Sequence, residues 1–188
     1  MRATLLLVLA LVAQGDPSRE ALALGRTHDD ALFEAFNKGY DLSPSGTIER
    51  AEIITEFRRA VLIVREHAAQ GDYAFSEHDL AKALAPYTGL VTFVVQVRLH
   101  PLNILMGVPS YDLYVSTGLQ SPPVASSVVK REPVYPPGAA PGSQLVAVRL
   151  EASFPAAAIA SAPDPRLIVT DEKGDVQWQA RVDLSRYR

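Results

Sequence analysis

The sequence has no cysteine, no concentrated run of basic residues and no apolar run of the roughly 18 to 20 residues that cross a bilayer. Without cysteine there is no disulfide framework, no thiolate metal site and no lipid-bearing cysteine of a bacterial lipoprotein. The net charge is −3 with both signs scattered along the chain, so no nucleic-acid partner is expected. The composition, 48% hydrophobic and 21% charged, is that of a globular protein that folds without cross-links.

Motifs of catalytic sites are also missing. The sequence has no G-x-S-x-G elbow, no glycine-rich phosphate loop after a strand and no H-E-x-x-H. Its carboxylate pairs fall where helix starts and hairpin turns need polar residues. The chain is therefore predicted not to be an enzyme. The histidines, whose spacing matches no zinc pattern, are His28, His67, His78 and His100.

The first 15 residues, MRATLLLVLALVAQG, have the outline of a secretory signal peptide. One charge at Arg2 precedes an apolar run from Leu5 to Val12, and small residues follow at Ala13 and Gly15. We predict cleavage after Gly15, leaving a periplasmic or secreted protein without a stable membrane anchor. The alternative is a buried first helix of a cytosolic protein.

Residues 16–88 have apolar side chains at helical spacing and are predicted to form a helical region. One amphipathic helix is predicted around residues 53–66. A further helix is predicted to start at Ser76, where Asp79 is placed to complete a capping box, and to end at Pro86. The apolar positions of the amphipathic helix are Ile53, Ile54, Phe57, Ala60, Val61 and Val64.

Residues 89–188 change to a period of two and are predicted to form an antiparallel β domain. Strands are expected around residues 91–99, 111–116, 146–154 and 176–184, with residues 166–171 and the turn E-K-G-D forming a hairpin into the last one. The predicted fold class is therefore α+β, in which N-terminal helices are followed by an antiparallel β-sandwich or sheet.

The connection at residues 121–142 is rich in proline and cannot be a central strand. We interpret it as an extended surface loop, with a short edge strand possible at Val128 and Val129. Proline-rich stretches can also be ligands for aromatic grooves.

The stretch DLSPSGTIERAE, residues 41–52, has oxygen-bearing residues and a glycine at a spacing that suits a hard cation. Calcium takes six to eight oxygens at about 2.3 to 2.6 Å, so a loop must curl around it, and Gly46 permits the curl. The stretch resembles an EF-hand calcium loop, with Ile48 at the position of the aliphatic core residue. The resemblance implies a helix-loop-helix with Glu52 on the first turn of the second helix. The implied calcium ligands are Asp41, Ser43, Ser45, Thr47 and Glu52, with Glu49 binding directly or through water.

Two features of this loop predict weak binding or none. Ser43 and Ser45 stand where the family has aspartate or asparagine, which leaves few charged ligands. A metal-free turn, S-P-S-G, followed by Thr47 as the cap of a helix explains the same residues. No regular second hand is present, since residues 68–79 have alanine at the first position and tyrosine at the sixth.

The sequence leaves two functional hypotheses. The first is an exported, non-enzymatic protein with a weak Ca²⁺ site of the EF-hand type. The second is a metal-free extracytoplasmic interaction or structural module, whose sheet or proline-rich loop contacts an envelope protein or polymer.

Overall fold

The computed structural model describes residues 16–103, 107–118, 122–126, 128–140 and 143–188. It confirms the α+β class, with helices near the N-terminus followed by two antiparallel sheets. The signal peptide predicted at residues 1–15 lies outside the described residues. The described chain divides into a helical unit, residues 16–35 with Phe57–Pro86, and a β unit, Phe36–Glu56 with Tyr87–Arg188.

The helical unit is built from α1 (Pro17–Gly25), the start of α2 (Asp30–Lys38), most of α3 (Glu56–Ala69) and α4 (Glu77–Leu84). The capping box predicted at the start of α4 is confirmed, since the Ser76 side chain accepts from the Asp79 N–H and the Asp79 carboxylate accepts from the Ser76 N–H. Gly25 lets α1 and α3 approach closely, because a Cβ at this position would lie 2.6 Å from Val64 Cβ. The buried apolar residues of this unit are Ala21, Leu22, Ala60, Val61, Val64, Phe75 and Leu80.

The β unit contains two sheets whose pairings are all antiparallel. The strands are β1 (Ile48–Ile54), β2 (Leu90–Arg98), β3 (Asp112–Ser116), β4 (Lys130–Val134), β5 (Ala147–Pro155), β6 (Arg166–Thr170) and β7 (Val176–Arg181). Sheet A has the order β1-β2-β5-β4, and sheet B has the order β3-β6-β7. A short helix, α5 (Ala156–Ala160), follows β5, and 3₁₀ turns occupy Ala85–Tyr87 and Leu184–Arg186.

One hydrophobic core joins the inner faces of the two sheets, so the β unit is a sandwich. Phe93 and Phe154 meet edge to face within it, with ring centroids 5.8 Å apart. Sheet B contributes the fully buried Leu167 and Val169, and Trp178, which is 5% exposed. In β3, β5 and β7 buried and more exposed side chains alternate, whereas β2 also buries Thr92 and Val94 on its second face. The period of two in the sequence identified all four strands.

The proline-rich connection contains a strand, although not at the predicted residues. β4 starts at Lys130, rather than at Val128 and Val129, and forms one edge of sheet A. Pro133 is compatible with this position because an edge strand leaves one row of backbone groups unpaired. Arg131 fixes the strand from outside by donating to the Tyr111 carbonyl at 2.7 Å and by pairing with Asp112.

The predicted EF-hand-like helix-loop-helix is corrected by the structure, because the segment after the loop is the strand β1. Its helical spacing arises from a bulge: Ile48 pairs with Val97 and Arg50 with Gln96, which leaves Glu49 as an extra residue. Ile48 and Ala51 therefore both face the core although they are three residues apart. Residues 36–56, which the sequence placed in the helical region, consequently belong to the β unit.

Candidate functional site

The loop at residues 41–52 is the tip of a β-hairpin. The Leu42 N–H donates to the Ala51 carbonyl at 2.8 Å, and the Ile53 N–H donates to the Tyr40 carbonyl at 3.0 Å. Asp41 and Glu52 are thus a directly opposed, non-hydrogen-bonded pair, whose side chains project from the same face. The structure brings together the first and last of the predicted ligands.

The turn of this hairpin depends on Gly46, whose φ of 62° lies in the left-handed region. The Ile48 N–H closes the turn by donating to the Ser45 carbonyl at 3.0 Å. Ser43 and Ser45 are both exposed. The sharp bend that the sequence predicted at Gly46 is therefore present.

Two other predicted ligands are engaged by β2. The Thr47 carbonyl, the backbone ligand that the EF-hand resemblance implies, accepts from the Arg98 N–H at 2.8 Å. The Glu49 carboxylate accepts from Gln96 Nε2 at 2.8 Å. Both oxygens therefore accept hydrogen bonds from β2 and contribute to the contact between β1 and β2.

Glu52 is 6% exposed and its carboxylate is 3.2 Å from Arg50 Nη2. The two residues are two apart on one strand and therefore share a face. A buried carboxylate needs a charge or hydrogen-bond partner, and Arg50 supplies one here. Arg50 and Gln96 could not be predicted as partners from the sequence, because their relation to Glu52 and Glu49 exists only if residues 48–54 are a strand.

The charges on this face of sheet A form complementary rows across the strands. Pairing places Glu151 opposite Lys130 and Arg149 opposite Glu132. Opposite charges across a strand pair stabilise a sheet modestly, whereas like charges destabilise it. Glu52 and Arg50 lie in the same rows, but the uncharged Val94 and Gln96 of β2 separate them from Glu151 and Arg149. Glu52 is instead paired with Arg50 on its own strand, and this pair gives Glu52 a structural role without a metal.

The loop differs from an EF-hand in two ways. A strand, and not a helix, follows it, and the Thr47 carbonyl and the Glu49 carboxylate already accept hydrogen bonds from β2. Among the described residues, no three or more carboxylate, imidazole or thiolate side chains are grouped in a way that would hold a metal ion. What the loop does present to a cation is the opposed pair Asp41 and Glu52.

A second feature of the β unit is an exposed apolar surface where β2 and β4 end and β5 begins. Leu102, Tyr135 and Val146 are 82%, 47% and 40% exposed, and together they are called the apolar end of sheet A here. Backbone bonds place the chain segments that carry them on either side of Val146. The Val146 N–H donates to the carbonyl of Val134, the residue before Tyr135, and the Leu99 N–H, three residues before Leu102, donates to the Val146 carbonyl, both at 2.9 Å.

The loops of the apolar end are fixed by side-chain hydrogen bonds. Asn103 Nδ2 donates to the carbonyls of His100 and Leu145 at 2.8 and 3.1 Å. Gln144 Nε2 donates to the Pro101 carbonyl at 3.1 Å and also to the Asn103 carbonyl. Prolines restrict the backbone further, and the exposed ones here are Pro101, Pro136 and Pro137.

Tyr111, whose carbonyl anchors Arg131, is a neutral phenol at ordinary pH. Burial, and then the negative charges of Asp171 and Glu172, raise its pKa above the usual value for tyrosine. It therefore adds no charge near Asp171 and Glu172.

In comparisons with known proteins, no family model matches this chain, and no curated protein or solved structure matches it significantly. Of the helices that the structure describes, none has the length and apolar character needed to span a membrane.

Proposed function

We propose that this chain is an exported, non-enzymatic β-sandwich module that binds a protein or polymer of the cell envelope through the apolar end of sheet A. The observation that carries the proposal is the grouping of Leu102, Tyr135 and Val146, all exposed, at one end of one sheet. Clustered apolar side chains on a surface are typical of interaction sites, whereas single ones are not. Export rests on the sequence of residues 1–15.

The chemistry of the apolar end suits a binding surface. Tyr135 offers a large ring and a hydroxyl, the combination enriched at protein interfaces. The bonds of Asn103 and Gln144 hold the loops in place before a partner arrives. Because an ordered surface loses less conformational entropy on binding, these bonds favour affinity.

The test is a double substitution, Leu102→Ser with Tyr135→Ser, in a protein that is otherwise unchanged. Cosedimentation with an isolated envelope fraction is expected for the original chain and is expected to be lost in the double variant. The matched control is Val176→Ser, which removes a side chain of comparable exposure, 56%, from sheet B. Equal cosedimentation of all three proteins, or none with the original chain, contradicts the proposal.

A second candidate function is weak Ca²⁺ binding by the loop at residues 41–52. The observation that favours it is the opposed pair Asp41 and Glu52, since two like charges on facing residues attract a cation. Ser43, Ser45, Thr47 and Glu49 complete the proposed ligand set, provided that Glu49 and Thr47 exchange their present donors for the ion.

Calcium binding predicts a specific pattern of thermal stability. Millimolar Ca²⁺ is expected to raise the melting temperature of the original chain, and Glu52→Gln is expected to abolish the increase. Arg50→Gln is expected to enlarge it, because the guanidinium competes with the ion for Glu52. Glu132→Gln, which removes an exposed acid from β4, is the control. An unchanged melting temperature in Ca²⁺ and in chelator contradicts calcium binding and leaves the first proposal intact.

A further inference from the structure

The helical unit contains a cavity of about 290 Å³ whose lining is basic. It lies where α1 and α3 end, near the lower limit of the volumes usual for ligand pockets, roughly 300 to 1,000 Å³. The residues that line it are Arg26, His28, Arg65, Ala68, Ala69 and Tyr73.

Arg65 is held in a fixed position. Its guanidinium donates to the Thr27 carbonyl, lies 2.7 Å from Asp30 Oδ1 and stacks 4.7 Å from the centroid of the Phe33 ring. The side chain is 30% exposed, and these three contacts hold its planar head in a preorganised position. A preorganised guanidinium is well suited to bind a planar or tetrahedral oxyanion.

Arg26 brings a positive charge that no carboxylate neutralises among the described residues. Its Nη2 donates only to backbone oxygens, the carbonyls of Phe75 at 2.5 Å and Tyr73 at 3.3 Å. Asp30 pairs with Arg65, so among the residues that line the cavity the guanidinium of Arg26 is left without a carboxylate partner. The chain as a whole is acidic, so this concentration of basic groups is local.

The cavity lies at the negative C-terminal ends of α1 and α3, so the two guanidinium groups must outweigh the helix dipoles when an anion binds. Some of the terminal carbonyls are bonded by the following turns. The Leu22 and Leu24 carbonyls of α1 accept from the N–H groups of Arg26 and Thr27, both at 3.2 Å. At the end of α3, the His67 carbonyl accepts from the Asp72 N–H at 2.9 Å.

We propose that this cavity binds a small organic oxyanion, a phosphate monoester or a carboxylate, that carries an apolar or aromatic group. The oxyanion contacts the guanidinium groups of Arg26 and Arg65. The apolar part lies on Ala68 and Ala69 and beside the ring of Tyr73, which is 56% exposed. This site is independent of the apolar end of sheet A and of the calcium loop.

The test is an NMR titration of the full chain with phenyl phosphate and, separately, with benzoate, each at an ionic strength kept constant with potassium chloride. Saturable shifts of the amides of residues 26–28 and 65–73 with either compound support the site, and the compound that saturates identifies the headgroup. Shifts that match those of chloride alone overturn it.

Substitutions make the test specific. Arg26→Gln is expected to weaken binding about tenfold to hundredfold, the loss typical of one charge-assisted hydrogen bond. Arg26 also holds the backbone of residues 73–75, so His28→Gln, at an exposed residue, is the second variant, with a smaller expected loss. Arg19→Gln, which removes a guanidinium paired with Glu77, is the control. Unchanged affinity in both folded test variants overturns the proposal.

Discussion

At the scale of single residues, Arg50 is the charge partner that allows the Glu52 carboxylate to be buried without a metal. The pair is half solvated, because the Arg50 side chain is 62% exposed, so its direct contribution to stability is small, about 0 to 1 kcal/mol. Its importance is that it satisfies a carboxylate that is only 6% exposed and that lies opposite Asp41. An arginine two residues away on a strand thus performs the charge compensation that a metal would perform in an EF-hand.

Asp79 provides a residue-scale prediction about pH. Hydrogen bonds from the Ser76 side chain, and then from the Ser76 backbone, lower its pKa below the usual value for aspartate. Because the pKa of Asp79 is lower in the folded state than in the unfolded state, the cap stabilises the protein fully at pH values above the unfolded-state pKa. This stabilisation is lost as the pH falls through the folded-state pKa. Ser76→Ala is therefore expected to raise the pKa of Asp79, measured by NMR titration of the side-chain carboxyl.

The control for this measurement is in the same molecule. Ser185 lowers the pKa of Asp183 through its side chain and backbone in the same way, so the pKa of Asp183 is expected to stay low in Ser76→Ala. An Asp79 pKa that does not respond to the substitution would show that the capping box does not set it.

At the scale of elements, structure with local sequence signals was predicted correctly, whereas the strand β1 was predicted wrongly as part of a helix. The capping box of α4 and the alternating strands β3 and β5 were predictable because their signals are local. β1 was not predictable, because Glu, Arg and Ala favour helices. In addition, the bulge at Glu49 separates the core-facing Ile48 and Ala51 by three positions, where an unbroken strand would separate them by two. Pairing with the distant β2, which a single sequence does not reveal, overrides that local preference.

Two adjacent isoleucines test the strand assignment. In the predicted helix Ile53 and Ile54 share an apolar face, whereas in β1 they point to opposite faces, and Ile53 is fully buried while Ile54 is half-buried. Ile53→Ala is expected to lower the free energy of unfolding by about 2 to 5 kcal/mol, and Ile54→Ala by clearly less. Urea denaturation measures both changes. Equal losses would favour a helix at these residues.

At the scale of the whole molecule, the order of strands had no signal in the sequence apart from the hairpin of β6 and β7, which the turn E-K-G-D predicted correctly. Antiparallel pairing of β2 with β5 joins residues that are distant in the sequence, from Arg98 with Ala147 at one end of the pair to Leu90 with Pro155 at the other. Alternation shows which side chains face a core, but it does not show which strand lies beside which. The apolar end of sheet A is a product of this arrangement, since Leu102 and Tyr135 come to the same end of the sheet, on either side of β5, only when β2 and β4 flank β5.

The apolar end is also the central functional claim, and hydrogen exchange of the backbone amides tests it most directly. The measurement compares the free chain with the chain mixed with a solubilised envelope fraction. We expect exchange to slow at residues 99–103, 134–135 and 143–147 and to stay unchanged at residues 166–181 of sheet B. No slowing at the apolar end, or slowing confined to sheet B, would contradict the account.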